Sequence, residues 1–308
     1  MDDTVDEIDL PRGVALAWGV AADPQRGPKR EMSVEKIVDA AVEIADADGI
    51  AAVSMSAVAG RLGYTPMSLY RYVSAKEDLV LLMSEAASGL PPESLREIDG
   101  WRARLVGYFD AQVSLYLRHP WILDIPISGS PTTPNSAAWM DAALEALDET
   151  PLDEQERMAV VLLVTGHTRW YGTILASYAR ITRDTGLSPS EIAEREAGLY
   201  DALIQADDYP ALYRASRAGV FRSRADPFRF GFERILDGVA AYIDTAPADR
   251  AAADTTWAAD ETADVAGDKK YREAQKVVHA AERALRAAHR AERQVLREAR
   301  ERAAHRTP

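Results

Sequence analysis

Cysteine is missing from all 308 residues, which excludes disulfides, thiolate nucleophiles and Cys-based zinc sites. No run of about 18 apolar residues exists, so no membrane span is expected. The opening stretch MDDTVDEIDL is acidic where a secretory signal would be basic and then apolar, so no signal peptide is expected and the simplest location is the cytoplasm. GxSxG, HExxH, a P-loop and a GxGxxG opening a βα unit are all missing. The many Asp and Glu residues are scattered on helix surfaces, where a solvated charge is the default. The sequence therefore nominates no catalytic residue and no cofactor. His119 and His167 lack a third ligand nearby in the pattern, so no metal is expected either.

One absence is local. The chain carries 49 Asp+Glu against 36 Lys+Arg, a formal net charge of −13, yet no acidic residue lies between Gly49 and Lys76. The overall acidity argues against a protein that coats nucleic acid along its whole surface, and it suppresses non-specific sticking. An acid-free, aromatic-rich stretch inside such a chain is what a small DNA-reading module needs, because phosphates repel carboxylates.

The apolar content of 47% is ample for a buried core, and the periodicity is helical almost throughout. No period-two alternation is long enough to suggest a sheet, so the fold class is all-α. Residues 1–28, rich in Pro and Gly, read as a flexible extension that ends in a basic cluster at Arg26, Lys29 and Arg30. Residues 29–92 form the first domain. Ser33 caps a helix carrying Ile37, Ala40, Ala41, Ile44 and Ala45, which closes at Gly49. Ser54 or Ser56 caps a second helix, with Val58, Ala59 and Leu62 inward, ended by Gly63. A third covers roughly Pro66 to Val73, with Leu69 and Val73 as its i,i+4 core pair. A fourth starts near Ala75 and buries Leu79, Leu82 and Met83. Short helices about a tight Gly turn are a helix-turn-helix arrangement. Residues 93–245 form a second domain with helices near 98–118, 136–148, 153–180, 189–206, 209–219 and 227–244. Residues 246–268 read as an acidic linker, and 269–308 as an Ala/Arg-rich helical tail.

With Leu69 and Val73 turned inward, Thr65, Pro66, Met67, Ser68, Tyr70, Arg71 and Tyr72 are left for the outer face of the third helix. Thr65 and Ser68 can bond base edges or phosphates. Pro66 in the first turn costs no hydrogen bond and offers apolar contact to a thymine methyl. Tyr70 and Tyr72 can bond phosphates through their hydroxyls, and Lys76 is placed for another. Ser54 and Ser56 begin a helix whose N–H groups can hold a phosphate. The bland alternative is the surface of an ordinary helical bundle.

Residues 33–83 resemble the N-terminal domain of the TetR family of bacterial transcriptional regulators. The resemblance is carried by IVDAAVEIADADGI and SMSAVAGRLGYTPMSLYRYVSAKEDLV, most specifically by LYRYV followed by Lys76 and Leu79. It implies DNA contacts at the positions above, and it likens RGPKR to the basic arm that precedes the first helix in some members. Met67 and Ser68 discriminate bases weakly, so the operator sequence is not legible. A weaker resemblance continues through LRHPWILDIP, GHTRWYG, YPALYRASRAG and FRFGFERILDGV. It implies an effector-binding domain that dimerises through its last two long helices, here those near 153–180 and 227–244. Phe228, Phe232, Ile235, Leu236, Val239 and Tyr242 give the second of these a broad apolar face suited to that role; the competing reading is packing within the monomer alone. His119, Trp121, Trp139, His167, Trp170 and Tyr171 combine apolar bulk with polar handles, as an effector pocket would; the competing reading is core filler with capped or exposed histidines.

The tail at 269–306 carries Val278, Ala281, Leu285, Ala288, Val295 and Ala299 near heptad core positions, but Glu292 interrupts them and alanine dominates. A solvated single helix with charge pairs such as Glu282–Arg286 is expected, with a second, weak DNA or partner contact as the functional alternative. The functional expectation is a homodimeric regulator, a repressor released from a near-palindromic operator by a small molecule. The alternatives are an activator or ligand-independent regulator on the same fold, and a helical carrier or enzyme with a vestigial first domain.

Overall fold

The computed structural model describes residues 10–20, 32–127, 133–223, 225–245, 265 and 267–304. Arg26, Lys29 and Arg30 lie outside these residues, as does most of the acidic linker. All regular structure among them is helical, in two compact units that divide at residue 250.

The first unit opens with α1 (Arg12–Ala17). This helix falls inside the segment expected to be an extension. It packs on α5 with Val14 buried, and the Gly13 N–H donates to Asp78 Oδ1 at 3.0 Å. Six residues are too few for helical periodicity to register in sequence, so composition alone points to a loop there.

α2 (Val34–Asp48) is capped by Ser33, whose Oγ accepts from the Lys36 N–H. It buries Ile37, Val38, Ala40, Ala41, Ile44 and Ala45. α3 (Met55–Leu62) is capped by Ser54 and stops at Gly63 in the left-handed region, φ +75°. The Tyr64 N–H reaches back to the Ala59 carbonyl at 2.9 Å there, closing the turn as only glycine does without strain. α4 (Pro66–Leu69) is a single turn extended by backbone bonds from Tyr72 and Val73 to the Leu69 carbonyl. α5 (Lys76–Ser88) follows, with Glu77 and Asp78 complementing its N-terminal dipole. Ile37, Val58, Leu69, Val73, Leu79 and Met83 are fully buried where these helices meet. Each contributes roughly 1.5–3 kcal/mol of apolar burial relative to exposure, enough to define the small bundle.

The second layer is built on α6 (Trp101–Arg118) lying along α8 (Glu154–Thr185). The helices approach closely because Gly172 faces Tyr116; a Cβ there would stand 2.6 Å from Tyr116 Cδ2. α8 starts in a capping box made by Asp153 and Glu156 and runs 32 residues, about 48 Å. α7 (Pro134–Glu145), α9 (Pro189–Leu203), α10 (Pro210–Arg217) and α11 (Pro227–Ile243) complete the unit. Asp226 caps α11 by accepting from the Phe228 and Arg229 N–H groups, both at 2.9 Å. The second unit contains α12 (Lys269–Ala304). The Arg286 side chain of the expected Glu282–Arg286 pair lies outside the described residues.

Candidate DNA interface and regulatory core

The outer face of the helix-turn-helix carries Ser56, Tyr64, Thr65, Met67, Tyr70, Arg71 and Lys76, all of them solvent-accessible. Met67, at 76% exposure, is the most prominent apolar group on it. The Ser68 hydroxyl donates to the Thr65 carbonyl at 2.6 Å, bracing the turn beside Pro66. Ser54 is committed to capping: its Oγ accepts from the Ala57 N–H at 3.1 Å. Arg61 pairs with Glu43 of α2 at 2.6 Å, fixing α3 against the helix before it. One residue departs from the sequence expectation. Tyr72, expected on the outer face, is buried at 7% exposure, because the i, i+3, i+4 row Leu69, Tyr72, Val73 turns inward together.

The six residues read as an effector pocket do not come together. His119 Nδ1 and Trp121 Nε1 both bond Asp46 Oδ1 on α2, at 2.8 and 2.7 Å. Trp139 Nε1 donates to the Gly89 carbonyl at the end of α5, at 3.0 Å. These three tie the second layer to the helix-turn-helix layer. Asn135 adds to the second tie, its N–H and side-chain amide donating to Glu85 Oε1 and the Glu85 carbonyl at 2.7 and 2.8 Å.

His167, Trp170 and Tyr171 belong instead to an aromatic stack between α6, α8 and α11. Phe109 lies 4.2 Å from Phe232 and 5.7 Å from Tyr171, centroid to centroid. Trp170 meets Phe228 edge-on at 4.7 Å. His167 Nε2 sits 2.8 Å from the Phe228 carbonyl, and the Tyr171 hydroxyl donates to Asp226 at 2.7 Å. Burial and the Asp226 carboxylate push that hydroxyl up to about 12.

A polar cluster that periodicity does not reveal lies in the core beneath. Gln112 is buried on α6; its amide donates to the Tyr108 hydroxyl at 2.8 Å, while its Oε1 is buried with no partner among the described residues. Tyr108 in turn sits 3.5 Å from Thr165 Oγ1, and burial pushes its hydroxyl up to about 12. Its ring meets Trp139 edge-on at 5.6 Å. Further along α6, burial also raises Tyr116. The signal is present in VGYFDAQVSLYL, where Gln112 interrupts the inward row Leu105, Tyr108, Phe109, Leu115, Tyr116. Arg169 is a second residue of this kind: its Nη2 donates to the Ile122, Leu123 and Ile125 carbonyls, at 3.3, 3.2 and 2.7 Å, and pins the turn that carries Trp121.

The apolar face of α11 is divided. Phe232, Leu236 and Val239, expected at a dimer interface, are buried within the monomer. Phe228 and Ile235 are half-buried, and the Tyr242 hydroxyl donates to Glu156 of α8 at 2.6 Å. The apolar groups that do face outward on these two helices are Leu162, Leu163, Trp170 and Phe230, each at least half exposed. Periodicity locates an apolar stripe but not its edge, and these residues flank the stripe. Among the described residues, no group of three or more His, Cys, Asp or Glu could hold a metal ion, and no helix is long and apolar enough to cross a membrane.

Comparison with known proteins matches this arrangement. The family pattern described as bacterial regulatory proteins, tetR family, matches residues 37–83, and that of the tetracyclin repressor-like C-terminal domain matches residues 93–243. The HTH-type transcriptional repressor DrrR1 of Streptomyces coeruleorubidus is 32% identical over 233 residues, covering 75% of this chain and 86% of that protein. An HTH-type transcriptional regulator of Saccharopolyspora erythraea is 29% identical over 219 residues, covering 69% and 84%. Among solved structures, apo ActR of Streptomyces coelicolor superposes with a TM-score of 0.55 at 21% identity, covering 70% of this chain and 98% of that one. ActR in complex with actinorhodin gives 0.54 at 22%, covering 69% and 97%; both share the fold. The chain belongs to the TetR family of bacterial regulatory proteins and is a DNA-binding transcriptional regulator.

Proposed function

We propose that this regulator is a homodimeric repressor that leaves a near-palindromic operator when a small molecule enters the core around Gln112. The observation that carries the release step is the buried, unpartnered Gln112 Oε1. Such an acceptor costs about 1–3 kcal/mol, a penalty that a bound hydrogen-bond donor removes. The repressor reading is supported by the likeness to DrrR1, a transcriptional repressor by name. ActR, which shares the fold, holds actinorhodin.

Both ties between the layers lead back to this core. α6 carries Tyr108, Gln112 and Tyr116 and ends at His119, which with Trp121 holds Asp46. Trp139, against the Tyr108 ring, holds the end of α5. A ligand bonded to Gln112 displaces α6 and Trp139 together, and the two helix-turn-helix modules move apart. In a two-fold dimer these modules must enter major grooves about 34–36 Å apart, so a change of geometry is enough to lose the fit. A differential affinity of about 1–3 kcal/mol between the two states suffices. The exposed Leu162, Leu163, Trp170 and Phe230 support a dimer formed through α8 and α11.

Selection of bound duplexes from a random-sequence library tests the proposal, followed by a reporter placed under the selected site. A two-fold symmetric sequence that silences the reporter is expected. Enrichment of no sequence, or activation of the reporter, would contradict it.

A further inference from the structure

α12 lies beyond residue 243, where the C-terminal family pattern ends. Stepping from Arg272 alternately by four and three residues to Arg300, every position is Arg or Lys, except His279. On the helical backbone these steps stay on one face. The opposite face carries Ala274, Val278, Ala281, Leu285 and Ala288, interrupted at Glu292. Like charges three and four residues apart repel one another, so a helix that merely meets water gains by mixing signs along a face. This helix keeps one sign along the row, although Glu273, Glu282 and Glu301 each stand three or four residues from one of its members. Towards its two ends, Lys276 pairs with Glu273 at 2.9 Å and Arg302 with Glu298 at 3.7 Å.

A single-sign row is relieved by a polyanion. The row covers about 42 Å at 1.5 Å per residue, and duplex DNA offers one phosphate per about 1.7 Å of axis. A lipid surface suits the helix poorly: an interfacial helix buries bulky side chains with Trp or Phe among them, and the apolar face here is mostly alanine. A coiled coil with a second copy wants larger knobs and no Glu292. We infer that α12 is an auxiliary DNA-binding helix that contacts duplex phosphates through its basic row without reading bases. The inference rests on the assignment of the chain as a DNA-binding regulator. It adds a sequence-independent contact to an otherwise acidic protein.

The test uses the full chain with Arg272→Gln, Lys276→Gln and Arg283→Gln, three exposed positions of the row; glutamine preserves helix propensity. Affinity for a random-sequence duplex is measured from 50 to 200 mM NaCl. The slope of log K against log salt is expected to flatten by about 0.9 for each phosphate that is no longer neutralised, about 2.7 per tail. Arg272→Lys with Arg283→Lys, which keeps the charge, is expected to retain the parent slope. An unchanged slope in the glutamine variant overturns the inference, as does a slope lost equally in the lysine variant. Loss of binding to phosphatidylserine vesicles with an unchanged DNA slope also overturns it and favours a membrane. Tyr70→Ala with Lys76→Ala separates the two sites, since it is expected to lose sequence selectivity while keeping the tail's share of the slope. If the parent shows no sequence selectivity but the slope still responds to the tail, the operator reading fails and the tail contact stands. If selectivity is intact and the slope is indifferent to the tail, the reverse holds.

Discussion

Gln112 separates folding from response at the level of one side chain. Gln112→Leu removes a buried acceptor that has no partner among the described residues, along with one neutral hydrogen bond to Tyr108. The expected net effect is about 1 kcal/mol of added stability, a rise in Tm of roughly 2–4 °C for a unit of this size. DNA affinity should hold while ligand-induced release is lost, as read by thermal melting and by titration of bound DNA. Tyr108 supplies a second prediction. Its hydroxyl is pushed up to about 12 by burial, whereas an unfolded tyrosine ionises near about 10. Below about pH 10 both states hold the proton and stability is unaffected; above it only the folded state does. The linked stability is therefore lost as pH rises from about 10 towards 12, by roughly 1.4 kcal/mol per pH unit at most. Urea midpoints at pH 9 and 11 should show a smaller fall in Tyr108→Phe than in the parent. In the sequence Gln112 shows only as a polar break in an apolar row, and Tyr108 as a member of that row. A lone Gln or Tyr on an apolar row looks like ordinary core until its atoms are seen to lack, or to share, partners.

At the scale of elements, the helices are legible because their ends are written in the sequence. Ser33 and Ser54 cap, while Gly49 and Gly63 close; α8 runs past the expected 180 to Thr185 and stops at Gly186. The inward rows follow from spacing, apart from Tyr72, an aromatic whose hydroxyl suggests the outer face. Packing between elements is not legible. His119, Trp121 and Trp139 carry the amphipathic character of a ligand site, yet each spends its polar atom on the neighbouring layer. Asp46→Ala tests that role, because it removes the acceptor shared by His119 and Trp121. It leaves the Trp121 N–H buried and unpaired, a cost of about 1–3 kcal/mol. It should also leave a protein that binds operator but responds weakly to ligand. An unaltered ligand response in a folded Asp46→Ala protein would remove α2 from the coupling route.

For the whole molecule, the all-helical fold and the resemblance to a TetR regulator are visible from SMSAVAGRLGYTPMSLYRYVSAK onward. The surface proposed for self-association is not, since exposure depends on which side of α8 and α11 the rest of the unit occupies. Leu163→Glu with Trp170→Glu places charge on that outward face, where the side chains are 50% and 58% exposed. Sedimentation should then report a folded monomer, and operator affinity should collapse as the two half-sites are no longer held together. A dimer that survives both charges would move the interface elsewhere.

The central claim is that the exposed turn from Thr65 to Lys76 reads DNA. Tyr70→Ala with Lys76→Ala changes two side chains per subunit and leaves the buried Leu69, Tyr72 and Val73 in place. At about 1 kcal/mol per hydrogen bond, removing two bonds from each half of a dimer amounts to about 4 kcal/mol, roughly a thousandfold in Kd. Titration of the selected operator duplex with this variant, beside sedimentation of the same sample, is the direct measurement. The account predicts a weakening of about that size from an intact dimer; an unchanged operator affinity would contradict it.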